Sequence, residues 1–171
     1  MDRFGPLGGL IGAVLIFFLQ VLVLKGIVLY EYAFCFAYII IFLQLPIDTN
    51  PLIQLILAFI IGLAVDAFYN TLGIHAAAST FMIFLKIFWI NALTPSGGYD
   101  SGAKINVRTQ GLQWFFAFSY PLVLAHSIFL FFTEAASINL LWMTFGKAFY
   151  SSILTFIMVL IIQYLFYKKM K

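Results

Sequence analysis

Apolar residues run through this chain in long unbroken blocks, without the strict alternation of a half-buried strand. A membrane-spanning helix needs ~20 predominantly apolar residues, and six blocks read as spans: 7–24, 32–45, 52–69, 73–93, 112–133 and 140–167. The second is short and the sixth is long. The breaks between them carry turn chemistry: Lys25-Gly26 through Glu31, the Pro46-Ile-Asp48-Thr-Asn50-Pro51 stretch, Asn70-Thr71, and the glycine-rich run that follows Thr94. A transmembrane β-barrel would require period-two alternation in ~10-residue segments, which these runs lack.

Composition agrees with the pattern. The chain is 64% apolar and 9% charged, with a mean hydropathy of +1.09, against roughly 25% charged residues in an average soluble domain. The expected fold is an all-α polytopic membrane bundle of six helices, and residues 1–171 form a single integral membrane domain with no room for a soluble core. Six crossings put both termini on one side with the 46–51 and 94–111 loops. That side collects Arg3, Lys104, Arg108, Lys168, Lys169 and Lys171, whereas the other has Lys25 and Lys147. By the excess of Lys and Arg in cytoplasmic segments, both termini are expected in the cytoplasm. The net charge of +3 then reflects topology and attraction to lipid head groups, with no nucleic-acid partner. The first apolar block lacks a small-residue cleavage site and is read as a retained span. Cys35, the single cysteine, falls within the second block and reads as a small apolar core residue.

Polar residues inside the spans are few, and ionisable groups there are costly enough to be site candidates or partners of one another. Asp66 lies ~22 Å along the third helix from Pro51 and His126 ~21 Å along the fifth from Leu112, by the helical rise. His75 opens the fourth helix from the Asp66 side and Glu134 follows the fifth, so all four are expected near the external face. Ala58, Gly62 and Asp66 share one face of the third helix, where small residues allow close backbone approach. His75, Ser79, Met82 and Lys86 share a face of the fourth. Asn70-Thr71-Leu72-Gly73 is expected to form a tight turn, with glycine free to adopt positive φ and Asn or Thr capping the next helix. Asp66 reads either as a structural group, satisfying the amides that open the fourth helix or pairing with His75, or as a proton or substrate site; the structural reading is favoured. Lys86 is expected to snorkel toward the cytoplasmic interface.

No catalytic pattern is present. There is no Gly-x-Ser-x-Gly elbow, no phosphate-cradling loop, no His-Glu-x-x-His and no cysteine pair. The chain is therefore expected to be non-enzymatic, with no cofactor and no metal.

The run Gly62-Leu-Ala-Val-Asp66 leading into Thr71-Leu72-Gly73-Ile-His75-Ala-Ala-Ala resembles the rod shape-determining MreD family of the bacterial inner membrane. Gln20 in the first span and the Pro46-bounded second hairpin add to the likeness. Gly98-Tyr99-Asp100-Ser101-Gly102, His126 and Glu134 resemble the branch of that family found in Bacteroidetes-like bacteria. The resemblance implies a scaffold of the cell-elongation machinery. It would associate with MreC and, through it, with the glycan polymerase RodA, a class B penicillin-binding transpeptidase and, indirectly, MreB filaments. It also implies that Gly62, Asp66, Leu72 and Gly73 form the family's turn and that no catalytic residue is carried over. The six-helix layout is similar as well to the substrate-binding S components of energy-coupling-factor transporters, which makes a solute-binding transporter subunit, with Asp66, His75, His126 and Glu134 lining a pocket, the alternative expectation.

Overall fold

The computed structural model describes residues 5–30, 32–94, 97–99, 105–135 and 141–166. Arg3, Lys104, Lys168, Lys169, Lys171 and the Asp100-Ser101-Gly102 part of the glycine-rich loop lie outside the described residues. Among the described residues five helices are long and apolar enough to cross a membrane: α1 (Gly5–Leu22), α3 (Pro51–Tyr69), α4 (Ile74–Leu93), α6 (Leu112–Ala135) and α7 (Leu141–Phe166). They correspond to five of the six expected spans, with ends shifted by one or two residues. Asn50 begins α3 by accepting from the Leu52 amide at 2.9 Å, with Pro51 in the first turn, where its missing N–H costs nothing.

The second expected span differs. Residues 32–45 form no continuous helix: a two-residue strand β1 (Val28–Leu29) pairs antiparallel with β2 (Ala33–Phe34), irregular chain and a turn follow, and only Ile39–Leu43 coils into a short α-helix, α2. Cys35 accordingly lies in non-helical chain. This stretch is nevertheless the centre of the molecule, with every residue from 35 to 43 at most 9% exposed. Non-helical backbone at membrane depth is tolerated only where protein buries it and supplies hydrogen-bond partners. Here the partners are polar side chains on neighbouring helices. On α7, Ser151 Oγ accepts from the Phe34 amide and Thr155 Oγ1 from the Phe36 amide, both at 2.9 Å. On α1, Gln20 donates from Nε2 to the Cys35 carbonyl at 2.9 Å and accepts at Oε1 from the Tyr38 amide at 3.3 Å. Beyond this point the chain winds into α2, and the Phe36, Ala37 and Tyr38 carbonyls accept from the amides of Ile39, Ile40 and Ile41.

The long helices surround this strand-like core. α3 packs on α4, α4 on α6, α6 on α7 and α1 on α3. α3 and α4 approach closely at Gly62, where an added Cβ would lie 2.5 Å from the Ala76 Cα; a larger side chain there would force the two helices apart. Lys25, just past α1, donates to the Phe68 carbonyl and lies 5.3 Å from the Tyr69 ring centroid, tying the ends of α1 and α3 together. α6 contains Pro121, which cannot donate to the Ala117 carbonyl one turn earlier. The Trp89 indole of α4 donates to that carbonyl at 3.1 Å, so the gap in the ladder becomes an interhelical bond.

Replacing Gln20 with Leu strands the Cys35 carbonyl and the Tyr38 amide. At ~1–3 kcal/mol per unsatisfied buried group, thermal unfolding in detergent is expected to show a loss of ~2–4 kcal/mol; an unchanged midpoint would show that the non-helical core does not depend on α1. Trp89→Phe is expected to cost ~1 kcal/mol by the same reasoning, and to cost nothing in a Pro121→Ala background, where the helix supplies its own donor.

Candidate functional site

A cluster of buried polar groups gathers at the α3–α4 hairpin and just inside it. α3 ends at Asn70 in the left-handed conformation, φ 55°, and α4 begins after Gly73, φ 85°. The glycine carries no side chain to cap the helix it precedes. The cap comes from Asp66, a full turn back on α3. One oxygen, Oδ2, accepts from the Ala76 amide at 2.9 Å, and the other, Oδ1, accepts from the His75 amide at 3.0 Å, from His75 Nδ1 at 3.0 Å and from the Thr71 hydroxyl. A carboxylate at a helix N-terminus is favoured both by the unpaired amides and by the aligned peptide dipoles. The structural role expected for Asp66 is the one observed, whereas the capping expected from Asn70 or Thr71 is not: Thr71 holds the carboxylate, and the carboxylate holds the helix.

His75 is 3% exposed. Because the carboxylate oxygen needs a donor, its proton sits on Nδ1, leaving Nε2 as an acceptor with no partner among the described residues. Its ring packs against Tyr69, with centroids 4.7 Å apart, and against Phe36 and Tyr38 of the central segment at 5.8 and 6.2 Å. Tyr38 carries the network onward. Its hydroxyl lies 2.8 Å from His126 Nε2 on α6 and 3.2 Å from Ser79 Oγ on α4. Phe36 also packs against the His126 ring, at 5.7 Å. Asp66, His75 and His126 are thus brought into one buried neighbourhood, bridged by Phe36 and Tyr38 of the central segment.

The other candidates separate from it. Glu134 is exposed near the end of α6 and takes no part in these hydrogen bonds. Leu72 is fully exposed at the tip of the hairpin, so it shapes the outer surface rather than the interior of the turn. Lys86 does not snorkel outward. It is 3% exposed, and its ammonium donates to the Phe42 carbonyl at 2.8 Å and to Gln54 Oε1 at 3.1 Å. It thereby fastens α2 to α3 and α4 at the opposite end of the bundle from Asp66. Gln54 is itself held through a bond from its Nε2 to the Thr49 carbonyl at 2.8 Å. Among the described residues no three His, Cys, Asp or Glu side chains converge as metal ligands would.

Gln20, Tyr38, Ser151 and Thr155 were not singled out as site residues from the sequence. The signal that finds them is their polarity within apolar runs, combined with the shortness of the 32–45 block. A 14-residue block is too short for a straight helical crossing, and an unwound one requires side-chain partners elsewhere in the membrane.

Asp66→Ala removes the acceptor from two backbone amides and from Thr71 and His75. Thermal unfolding in detergent is expected to show a loss of ~3 kcal/mol, with accelerated amide exchange at His75 and Ala76. Asp66→Asn, which keeps one acceptor oxygen, is expected to lose less than half as much. Equal effects of the two substitutions would argue that the charge rather than the cap stabilises the hairpin.

Comparison with known protein families, curated proteins and solved structures finds no match to this chain.

Proposed function

We propose that this chain is a six-crossing protein of the bacterial inner membrane, with both termini cytoplasmic, and that it acts as a non-enzymatic scaffold of the cell-elongation machinery. In this reading it associates with MreC and through it with RodA and the class B transpeptidase, as its resemblance to the MreD family implies. The sixth crossing is the central segment. Its contacts run from Tyr32, which donates to the Met143 carbonyl at the start of α7, to Phe42, which meets Lys86 far along α4. Counting that segment as a crossing returns the end of α7 to the side on which α1 begins. Arg108 lies on that side and Lys25 and Lys147 on the other; the proposed orientation draws on the excess of Lys and Arg in the terminal and 94–111 segments of the sequence.

The observation that carries the scaffold reading is how the buried polar groups are used. Asp66, Lys86, Gln20, Ser151 and Thr155 each bind a main-chain group of another part of the bundle. They fix the relative positions of segments and leave an apolar outer surface, the arrangement suited to a protein that works by contact with other membrane helices. The solute-binding alternative draws on a narrower observation, the unpartnered His75 Nε2 and His126 Nδ1 within the buried cluster.

Affinity purification of the tagged protein from its own host in mild detergent, with mass spectrometry of what accompanies it, separates the two. The scaffold predicts MreC, RodA and the transpeptidase. Leu72→Ser, which alters the exposed tip without touching the Asp66 cap, is expected to lower MreC recovery at least several-fold while leaving thermal stability unchanged. Recovery of a transport ATPase pair or a bound small molecule, with no elongation partner, would overturn the scaffold.

A further inference from the structure

At the other end of the bundle, the short helix α5 (Val107–Gln110) lies across the start of α6 and the end of α7. Asn106 caps it, accepting from the Arg108 and Thr109 amides at 3.0 and 2.9 Å. Ile105 and Val107 are buried, pinning the element to the bundle, while Arg108 is exposed. The Arg108 Nη2 donates to the Tyr164 carbonyl at 2.9 Å, and the guanidinium lies 5.7 Å from the Tyr164 ring centroid. That carbonyl lies near the end of the described part of α7. The bond therefore holds the cation in place, yet it uses only one of the five N–H donors of the guanidinium.

Beside this fixed cation is a groove of about 250 Å³, lined by Val107, Arg108, Leu112 and Tyr164. Leu112 and Tyr164 are each about half exposed. At the helix-end level of a membrane-spanning bundle, such a groove offers a planar donor fork for a phosphate and an apolar wall for the chain attached to it. A soluble anion would use only the first of these, and a zwitterionic lipid would bring its own cation against Arg108. The exposed guanidinium, with donors left over, favours an occupant of net negative charge. We propose that this groove is a binding site for the head group and proximal acyl chain of an anionic phospholipid. The inference rests on the membrane-spanning reading of the helices and is independent of the scaffold's partners.

The test is native mass spectrometry of the full-length protein released from nanodiscs containing equal phosphatidylglycerol and phosphatidylcholine. The wild type is expected to retain phosphatidylglycerol preferentially. Arg108→Gln is expected to reduce that preference ~5-fold, the effect of one interfacial cation. Leu112→Trp, which fills the groove and leaves the bond from Arg108 to Tyr164 in place, is expected to reduce retention as well, and it carries the test if Arg108→Gln does not fold. Millimolar inorganic phosphate is expected not to displace the lipid. Equal retention of the two lipids, undiminished phosphatidylglycerol on both variants, or displacement by phosphate alone would overturn the proposal. Loss of MreC recovery would leave these readings unchanged, so the lipid site and the scaffold fail separately.

Discussion

A peptide chain inside a membrane must pair every amide and carbonyl with protein, because the surrounding lipid offers nothing to either. Five of the long apolar blocks meet this demand as helices. The central segment does not, and the architecture follows from that difference. Its free amides require acceptors at defined heights on α1 and α7, which puts Gln20, Ser151 and Thr155 in the interior and draws the helices around it. The same segment supplies Phe36 and Tyr38, whose rings separate and connect the two buried histidines. A continuous helix in this position would have satisfied its own backbone and left those side chains without a role.

The buried ionisable groups obey the same rule. A carboxylate at membrane depth is expected to mark function by default, yet Asp66 is fully occupied in closing the start of α4, where the glycine required by the tight turn brings no cap of its own. Lys86 is occupied in the same way at the other end, donating to a carbonyl of α2. Each charge binds main-chain groups near a helix end, where unpaired backbone groups are concentrated. The two together clamp the central segment and the α3–α4 hairpin from opposite ends. Trp89 and Pro121 repeat the arrangement with neutral groups, since the proline frees a carbonyl and the neighbouring helix fills the vacancy.

Several parts of this arrangement were legible in the residues. The shared face of Ala58, Gly62 and Asp66 announced the close α3–α4 contact, because only small side chains permit it, and Gly62 proves to be the point of contact. Asp66 and His75, nine positions apart across a turn-forming Asn-Thr-Leu-Gly, were readable as partners. The depth shared by His126 with these residues followed from helical rise. Glu134 is exposed near the end of α6, as a solvated carboxylate would be, whereas Lys86 bonds inward because a long aliphatic stem permits either snorkelling or inward bonding.

Sequence by itself determined the five helices long and apolar enough to cross a membrane and the tight hairpin, since these depend on local composition: apolar length, proline and glycine positions, and the spacing of small residues along one face. It could not determine that the 32–45 block abandons the helix, because an apolar run carries the same hydropathy whether coiled or extended. That choice was made by Gln20, Ser151 and Thr155, which lie far from the segment in sequence. Only the packed bundle brings their hydroxyl and amide groups within reach of the unpaired backbone, and without them the extended form could not be buried.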